Sequence, residues 1–554
     1  MIREEINKFI KDKTGEKIEN STGRFGDFCL TPGVLNKIAG KENSTPVDIA
    51  RKTAEELKTT FPEKIEKAEF EAGYLNIYLS KSAYLAELEE INKDIGAYLK
   101  DPENADKTIV FDYSSPNIAK PFSVGNLRST IIGQANYNIH KALGFKTVGI
   151  NHLGDWGTQF GKLIVAIKKW GSESEIAKNP IEKLNELYVK FHGEAEKDKL
   201  LDDEAREWFK KLEDGNEEAR EIWQKCINWS MGEFERIYKI LGIEIDETTG
   251  ESFYIDKQKA VIAELKEKNH LKESEGAQIV ELENLPPVLI QKKDGATLYM
   301  TRDLAAIKYR IEKHHPMEII YHVGNDQSLH FQQLTAVVDK LKWNVKITHA
   351  SHGMIRLPDG KMSTRRGRTI LLDDLIDEAK SRALKIIEEK NPDLKNKEDV
   401  AQKIGISALK YADLVQNRKT DIVFSFDKAI SLQGNSAPYI QYSYARVRSL
   451  IRKFKEKFPE ETPIGSLDDS GVNLAKAVLK VERALRLSAQ NSTPNILCEI
   501  LFELVEEFNK FYEKERIIVE DKSKAQKNIF LVEIANLVLS KIFDILGLAK
   551  LEEI

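Results

Sequence analysis

Thr108 to Tyr113 (TIVFDY) is apolar enough for a buried strand, and the run from Leu127 onward has the pattern of a helix. Between them stands SSPNIAKPFSVGN, a loop with two Pro, one Lys and one Gly. A buried strand that feeds a loop and then a helix is the opening unit of a doubly wound α/β sheet. No other stretch of the 554 residues constrains the fold as much. The same unit makes an anion site, because a helix N-terminus carries unpaired N–H groups and a partial positive charge. Gly125 lets a ligand approach the backbone closely, and Lys120 adds a mobile cation. Ser123 reads equally well as a plain helix N-cap.

Three further apolar runs continue the pattern: TVGIN (147–151), MEIIYHV (317–323) and NVKITHA (344–350). They predict a Rossmann-type parallel-sheet domain over 104–372. A highly charged, helix-patterned stretch over about 172–282 reads as a helical insertion into it. Residues 1–103 form a smaller α+β unit. Ile2, Ile6 and Phe9 recur at helical spacing, and Leu75, Ile77 and Leu79 alternate along YLNIYLS as in a half-buried strand. The polar linker KDPENADK (100–107) closes it. From 373 to 554 the chain reads as all-helical. STPNILCEILFELVEEFNKFY places Thr493 to cap, Pro494 at the first helical position and one apolar stripe behind them. The expected architecture is a multidomain α/β protein, since a chain this long exceeds one core.

Charged residues are 31% of the chain and the net charge is −5, so any nucleic-acid contact must use local patches. No run of eighteen apolar residues suggests a membrane span, and no membrane partner is expected. The N-terminus (MIREEINKFIKDK) lacks the apolar core of a signal peptide. Cys29, Cys226 and Cys498 are too far apart for a CxxC pair, and no HExxH occurs, so no protein-held metal is expected. A reducing, cytoplasmic setting follows.

Three more clusters carry chemistry. LPDGKMSTRRGRT (357–369) is a glycine-bracketed basic loop containing Lys361. Such a loop can close over a polyphosphate, and it can equally be an exposed turn. LYMTRDLAAIKYR places Tyr299 and Asp303 four apart at a helix entry, while Asp112 ends the first strand and Asn117 lies in the first loop. Two carboxylates and an aromatic ring suit a guanidinium, although Asp303 is also an ordinary helix-start residue. QYSYARVRSLIRKFKEK (441–457) is basic and aromatic. Its Tyr442, Arg446, Arg448 and Arg452 offer stacking surfaces and phosphate contacts on one helix.

SSPNIAKPFSVGNLRST, NHLGDWGTQFGKL (151–163), YMTRDLAAIKYR (299–310), GNDQSLHFQQL (324–334), DGKMSTRRG (359–367) and the run 411–449 resemble, in this order, the arginyl-tRNA synthetases of class I. The resemblance covers nearly the whole chain. It implies an N-terminal domain that touches the tRNA elbow and a C-terminal anticodon-binding bundle. It also implies arginine-tRNA ligase activity with ATP as substrate and Mg2+ beside it, L-arginine and tRNA(Arg) as partners, and a monomer. By the same resemblance Asp112, Asn117, Tyr299, Asp303 and Gln327 would bind arginine. Lys120, Ser123, Gly125, Asn126, Lys361, Met362 and Ser363 would bind ATP, with Lys120, Ser123, Asn126 and Lys361 catalytic. Tyr442, Arg446, Arg448 and Arg452 would meet tRNA.

Two motifs depart from the family pattern. A His-x-Gly-His motif reads Ser123-Val-Gly-Asn126 here, and a second Lys of the basic loop is Thr364. Neutral donors for imidazoles predict a slower but competent enzyme. The alternative is a tRNA-binding relative that has lost adenylation.

Overall fold

The computed structural model describes residues 2–16, 18–20, 26–356, 371–458 and 466–554. The expected basic-loop residues Lys361, Met362 and Ser363 lie outside the described residues.

Five parallel strands form the central sheet: β1 (Thr108–Asp112), β2 (Lys146–Asn151), β3 (Glu247–Thr248), β4 (Glu318–Tyr321) and β5 (Lys346–His349). Their spatial order is β5-β4-β1-β2-β3. The chain builds outward from β1 on one side, then returns to build on the other, so the topological switch lies between β1 and β4. In such sheets the crevice beyond the carboxyl ends of those two strands takes the ligand. Asp112 and Tyr321 are register partners there.

Helix α1 (Val124–Ala142) crosses from β1 to β2 and is buried along most of its length. Gly133 allows this. A Cβ there would fall 2.2 Å from the Tyr113 side chain, so no larger residue lets α1 lie against the end of β1. Helix α2 (Glu217–Leu241) precedes β3, α3 (Tyr299–His314) precedes β4, and α4 (Ser328–Leu341) links β4 to β5.

The stretch 172–282 is less purely helical than expected. It contains β3, and it ends in the strands Lys272–Ser274 and Ala277–Val280, which join Val288–Gln291 in an antiparallel sheet. β3 has two residues, too few for an alternation to show, and Lys272–Ser274 is exposed throughout.

Four antiparallel strands make the N-terminal sheet, with Tyr74–Leu79 inside it between Phe28–Leu30 and Ile65–Glu71. Leu75, Ile77 and Leu79 are buried, and so is Asn76 on the opposite face.

The C-terminal region is helical: Leu372–Lys390, α5 (Lys397–Leu414), α6 (Ala437–Lys457), α7 (Asp469–Asn491), α8 (Asn495–Lys514) and α9 (Lys522–Leu546). It is not entirely so, because Ile422–Val423 pairs in parallel with Ile355–Arg356 of the sheet domain. Helix α8 starts at Asn495, so Pro494 stands one residue before the expected position, at the N-cap. Helix α9 is buried on nearly every side, as befits the central helix of a bundle.

Two arginines fasten this bundle to the sheet domain. Arg128 of α1 donates from Nε to Asp413 Oδ1 of α5 at 3.0 Å and from Nη1 to the Thr420 carbonyl at 2.7 Å. Arg418 donates to the Ser351 carbonyl after β5, and to the Ser492 and Asn491 carbonyls between α7 and α8 at 2.8 and 3.2 Å. Asn136 of α1 reaches the same Ser492 carbonyl at 3.4 Å and lies 2.9 Å from His322 Nε2.

Candidate active site

A cleft of about 1300 Å³ opens at the topological switch, lined from β1, α1, α3, β4 and the turn before α4. Its floor is the loop after β1, which is bent by three non-glycine residues in the left-handed region: Ser114 (φ 70°), Ser115 (φ 47°) and Ala119 (φ 60°). That conformation is costly for residues with a Cβ. The surroundings hold each one by its N–H: Ser114 on the Ser129 hydroxyl at 3.2 Å, Ser115 on Asn151 Oδ1 at 3.1 Å, and Ala119 on the Ser230 hydroxyl at 2.9 Å. Three separate elements therefore fix the loop. Asn117 lines the cleft and packs against Gly154, where a Cβ would fall 2.1 Å from Asn117 Oδ1.

At the start of α1, Ser123 and Asn126 bond to each other. The Ser123 N–H and hydroxyl both donate to Asn126 Oδ1, at 3.1 and 3.0 Å. The Asn126 and Leu127 N–H groups donate to the Ser123 carbonyl. With Oδ1 so engaged, the Nδ2 amide is the part of Asn126 available to a ligand, and Asn126 and Gly125 line the cleft. Ser123 does not line it. Its N-cap reading is the one the geometry supports. Lys120 is exposed and also lies outside the cleft lining.

Helix α3 supplies the acidic end. Tyr299, Asp303, Ala306 and Arg310 follow one another at spacings of four, three and four, which puts them on one helical face, and all four line the cleft. Asp303 Oδ2 lies 2.6 Å from His330 Nε2 of α4. Asp112, from β1, is 4% exposed. Its Oδ2 accepts from Arg310 Nη2 at 2.7 Å and its Oδ1 from the Ser115 hydroxyl at 2.9 Å. Asp112 and Asp303 thus share one cleft with Tyr299 and Gln327.

Sequence reasoning did not single out several charged residues of the lining, Arg310 and Glu251 among them, nor Arg302 beside it. Arg310 could have been found from the helical spacing alone. Glu251 carries no motif. It follows Gly250, where a Cβ would fall 2.2 Å from the Asp155 carboxylate, and that carboxylate accepts from the Ser252 N–H and hydroxyl at 2.8 and 2.6 Å. Burial pushes the Glu251 carboxyl up to about 7; Arg302 opposes this, and the Asp303 and Asp155 charges add to it. Arg302 Nη1 donates to Glu251 Oε2 at 2.7 Å, and its guanidinium lies over the Tyr299 ring at 4.5 Å. Two neutral imidazoles stand nearby. Burial lowers the pKa of His152, and burial lowers that of His352 to about 4.

The α6 residues form a separate surface. Arg446 lies 5.2 Å from the Tyr442 ring centroid and 5.0 Å from that of Tyr512, and its Nη1 donates to Asn509 Oδ1 at 2.8 Å. Arg448 and Arg452 pair with Glu552 and Glu553 of the C-terminal tail at 3.0 and 3.1 Å.

Comparison with known proteins matches three family models along the chain. Residues 91–426 match "tRNA synthetases class I (R), catalytic domain", residues 440–554 a "DALR anticodon binding domain", and residues 1–79 an "Arginyl tRNA synthetase N terminal domain". The arginine–tRNA ligase of Clostridioides difficile is 40% identical over 99% of this chain and 97% of its own length. The structure resembles that of arginyl-tRNA synthetase from Plasmodium falciparum, with TM-score 0.83, 25% identity, and coverage of 100% of this chain and 98% of that one. The Thermus thermophilus arginyl-tRNA synthetase shares the fold, with TM-score 0.84 at 21% identity over 100% and 99% of the two chains. These matches give no support to a relative that has lost adenylation.

Proposed function

This chain belongs to the class I arginyl-tRNA synthetases, and on that premise we propose that its cleft activates L-arginine with ATP and passes the arginyl group to the terminal adenosine of tRNA(Arg). The single observation that carries the reading is the face of α3 beside Asp112. Tyr299 and Asp303 there, with Asp112 in the same lining, offer two carboxylates and an aromatic ring within one cavity. A planar cation with several donors suits that set, whereas a lysine ammonium would leave part of it unpaired.

With the guanidinium at the acidic end, the arginine carboxylate points toward the start of α1. There it attacks the α-phosphate of ATP, forming arginyl-adenylate and releasing pyrophosphate. The triphosphate lies against the helix N-terminus, whose first N–H groups precede the first intrahelical bonds. The Asn126 amide donates to the charge that develops on phosphate oxygens. Mg2+ would accompany the ATP, where it would offset negative charge on the phosphates. Asn117 and Gln327 hold the amino-acid backbone, and the 2′-OH of the terminal tRNA adenosine then takes the arginyl group. Lys361, Met362 and Ser363 complete the ATP contacts in this reading.

Residues 1–103 would meet the tRNA elbow and 373–554 the anticodon. On the latter, Arg446 between Tyr442 and Tyr512 makes a platform on which a base can stack. Cys29, Cys226 and Cys498 are all buried, which suits a reducing cytoplasm, and we assign the protein there as a monomer. The test is aminoacylation with purified protein, tRNA and each amino acid in turn. Arginine alone should be charged, and Asp303→Ala should lose arginine activation while retaining tRNA binding. Full activity in Asp303→Ala, or charging of a different amino acid, refutes the reading.

A further inference from the structure

Among the residues lining the cleft, Arg310 sits at the acidic end, where a substrate cation would be expected to want no competitor. Its side chain is fully buried, at 0% exposure. One nitrogen, Nη2, donates to Asp112 Oδ2 at 2.7 Å and lies 3.4 Å from His152 Nδ1. The guanidinium carbon is 5.4 Å from the Tyr321 ring centroid. Nε and Nη1 of Arg310 are buried with no hydrogen-bond partner, and so is the Tyr321 hydroxyl. Since Ser115 takes the other Asp112 oxygen, that carboxylate is held at both ends.

We propose that Arg310 is a specificity-determining positioning residue: it neutralises and aims the Asp112 carboxylate so that the acidic end of the cleft rewards a planar guanidinium over a compact ammonium. The proposal rests on the arginine reading above. A bare, buried Asp112 would attract any cation, because Coulomb attraction does not depend on the shape of the partner. Lysine and arginine would then gain alike. With Arg310 already paired to Asp112, most of that undirected attraction is spent within the protein. A substrate gains mainly by meeting the lone pairs that remain, in their fixed directions. Arginine brings a rigid fork of five donors to them, while lysine brings three rotating donors at one point. Burial sharpens the choice, because a carboxylate left with an unmatched lone pair in a dry site is costly.

The test is arginine- and lysine-dependent ATP–pyrophosphate exchange, with tRNA present, for the wild type, Arg310→Met and Arg310→Lys. Met keeps much of the volume and removes the charge; Lys keeps the charge and removes the fork. We expect the arginine-over-lysine ratio of kcat/KM to fall at least tenfold in Arg310→Met and by less in Arg310→Lys. Most of the change should lie in KM for the amino acid. Should Arg310→Met fail to fold, Arg310→Gln removes the charge while keeping a donor for Asp112; it should fold and show a lowered ratio. A ratio within threefold of wild type in whichever of these variants folds overturns the proposal, as does a larger loss in Arg310→Lys than in Arg310→Met. A wild type that activates no arginine overturns the functional reading and the proposal with it.

Discussion

Asn126→Ala separates two tasks that meet at the first turn of α1. The asparagine oxygen accepts from both the N–H and the hydroxyl of Ser123. Its removal strips the helix start of a reciprocal cap, worth about 1 kcal/mol of stability. The Nδ2 amide has a different value. Neutral hydrogen bonds contribute about 0.5–1.5 kcal/mol, so losing one that forms only to the transition state slows arginine activation by roughly two- to twelvefold. Ser123→Ala removes only the hydroxyl's bond to Asn126 Oδ1, keeps the backbone N–H bond, and leaves the amide in the cleft. Both variants should therefore lower thermal stability, Asn126→Ala by more, and only Asn126→Ala should slow arginine-dependent pyrophosphate exchange. In a double-mutant cycle, the stability effects should fall short of additive by roughly 1 kcal/mol, since the pair shares one interaction. Melting curves and exchange rates measured together give the answer. If Ser123→Ala slows exchange as much as Asn126→Ala, the division between cap and cleft donor is wrong. If neither variant changes either measurement, helix-end N–H groups alone suffice.

Glu251 sets a pH dependence. Its carboxyl titrates at about 7 in the folded chain against 4.5 as a free side chain, so between those values the folded state keeps a proton that the unfolded state releases. Stability from this group is full below about pH 4.5 and declines by about 3 kcal/mol as pH rises through 7. Melting Glu251→Gln at pH 5 and pH 8 should show a smaller loss than wild type between the two; an equal loss would remove Glu251 as the cause. On α6, Arg446→Ala should weaken tRNA binding at least tenfold and cost about 1–2 kcal/mol of stability from its lost ring and Asn509 contacts, read by filter binding and melting. Glu552→Gln with Glu553→Gln should free Arg448 and Arg452, tighten tRNA binding at low salt and steepen its salt dependence; unchanged affinity would show that these arginines take no part.

Much of this architecture was legible because its signals are local. β1 and β4 are mostly buried runs of β-branched and aromatic residues, β2 is buried from Gly149 to Asn151 and β5 is only partly buried, and the chemistry of the strand end follows from the fold's handedness and the helix behind it. β3 and the Ile422–Val423 strand were not legible. Two residues carry no period, and both strands exist because a long-range partner completes them. In the site, Asp112 and Asp303 stood out as acids at a strand end and a helix start. Arg310 did not, since a cation in a cation pocket opposes the expected sign, even though its spacing from Tyr299 and Asp303 marks the same face. Glu251 was hidden because its placement depends on Asp155, almost a hundred residues away. The bent loop was hidden for a similar reason. Ser114, Ser115 and Ala119 look like ordinary loop residues, and only the oxygens of Ser129, Asn151 and Ser230 make their conformation tenable.

Arg418 bridges the sheet domain and the helical bundle. With three nitrogens it ties the carbonyl after β5 to two carbonyls at a corner of the bundle, and Asn136 of α1 grips one of those carbonyls. A guanidinium is flat and stiff, so it holds the three carbonyls at a fixed spacing. An RNA that displaced that corner of the bundle would pull through Arg418 on Ser351, the neighbour of His352 in the cleft lining.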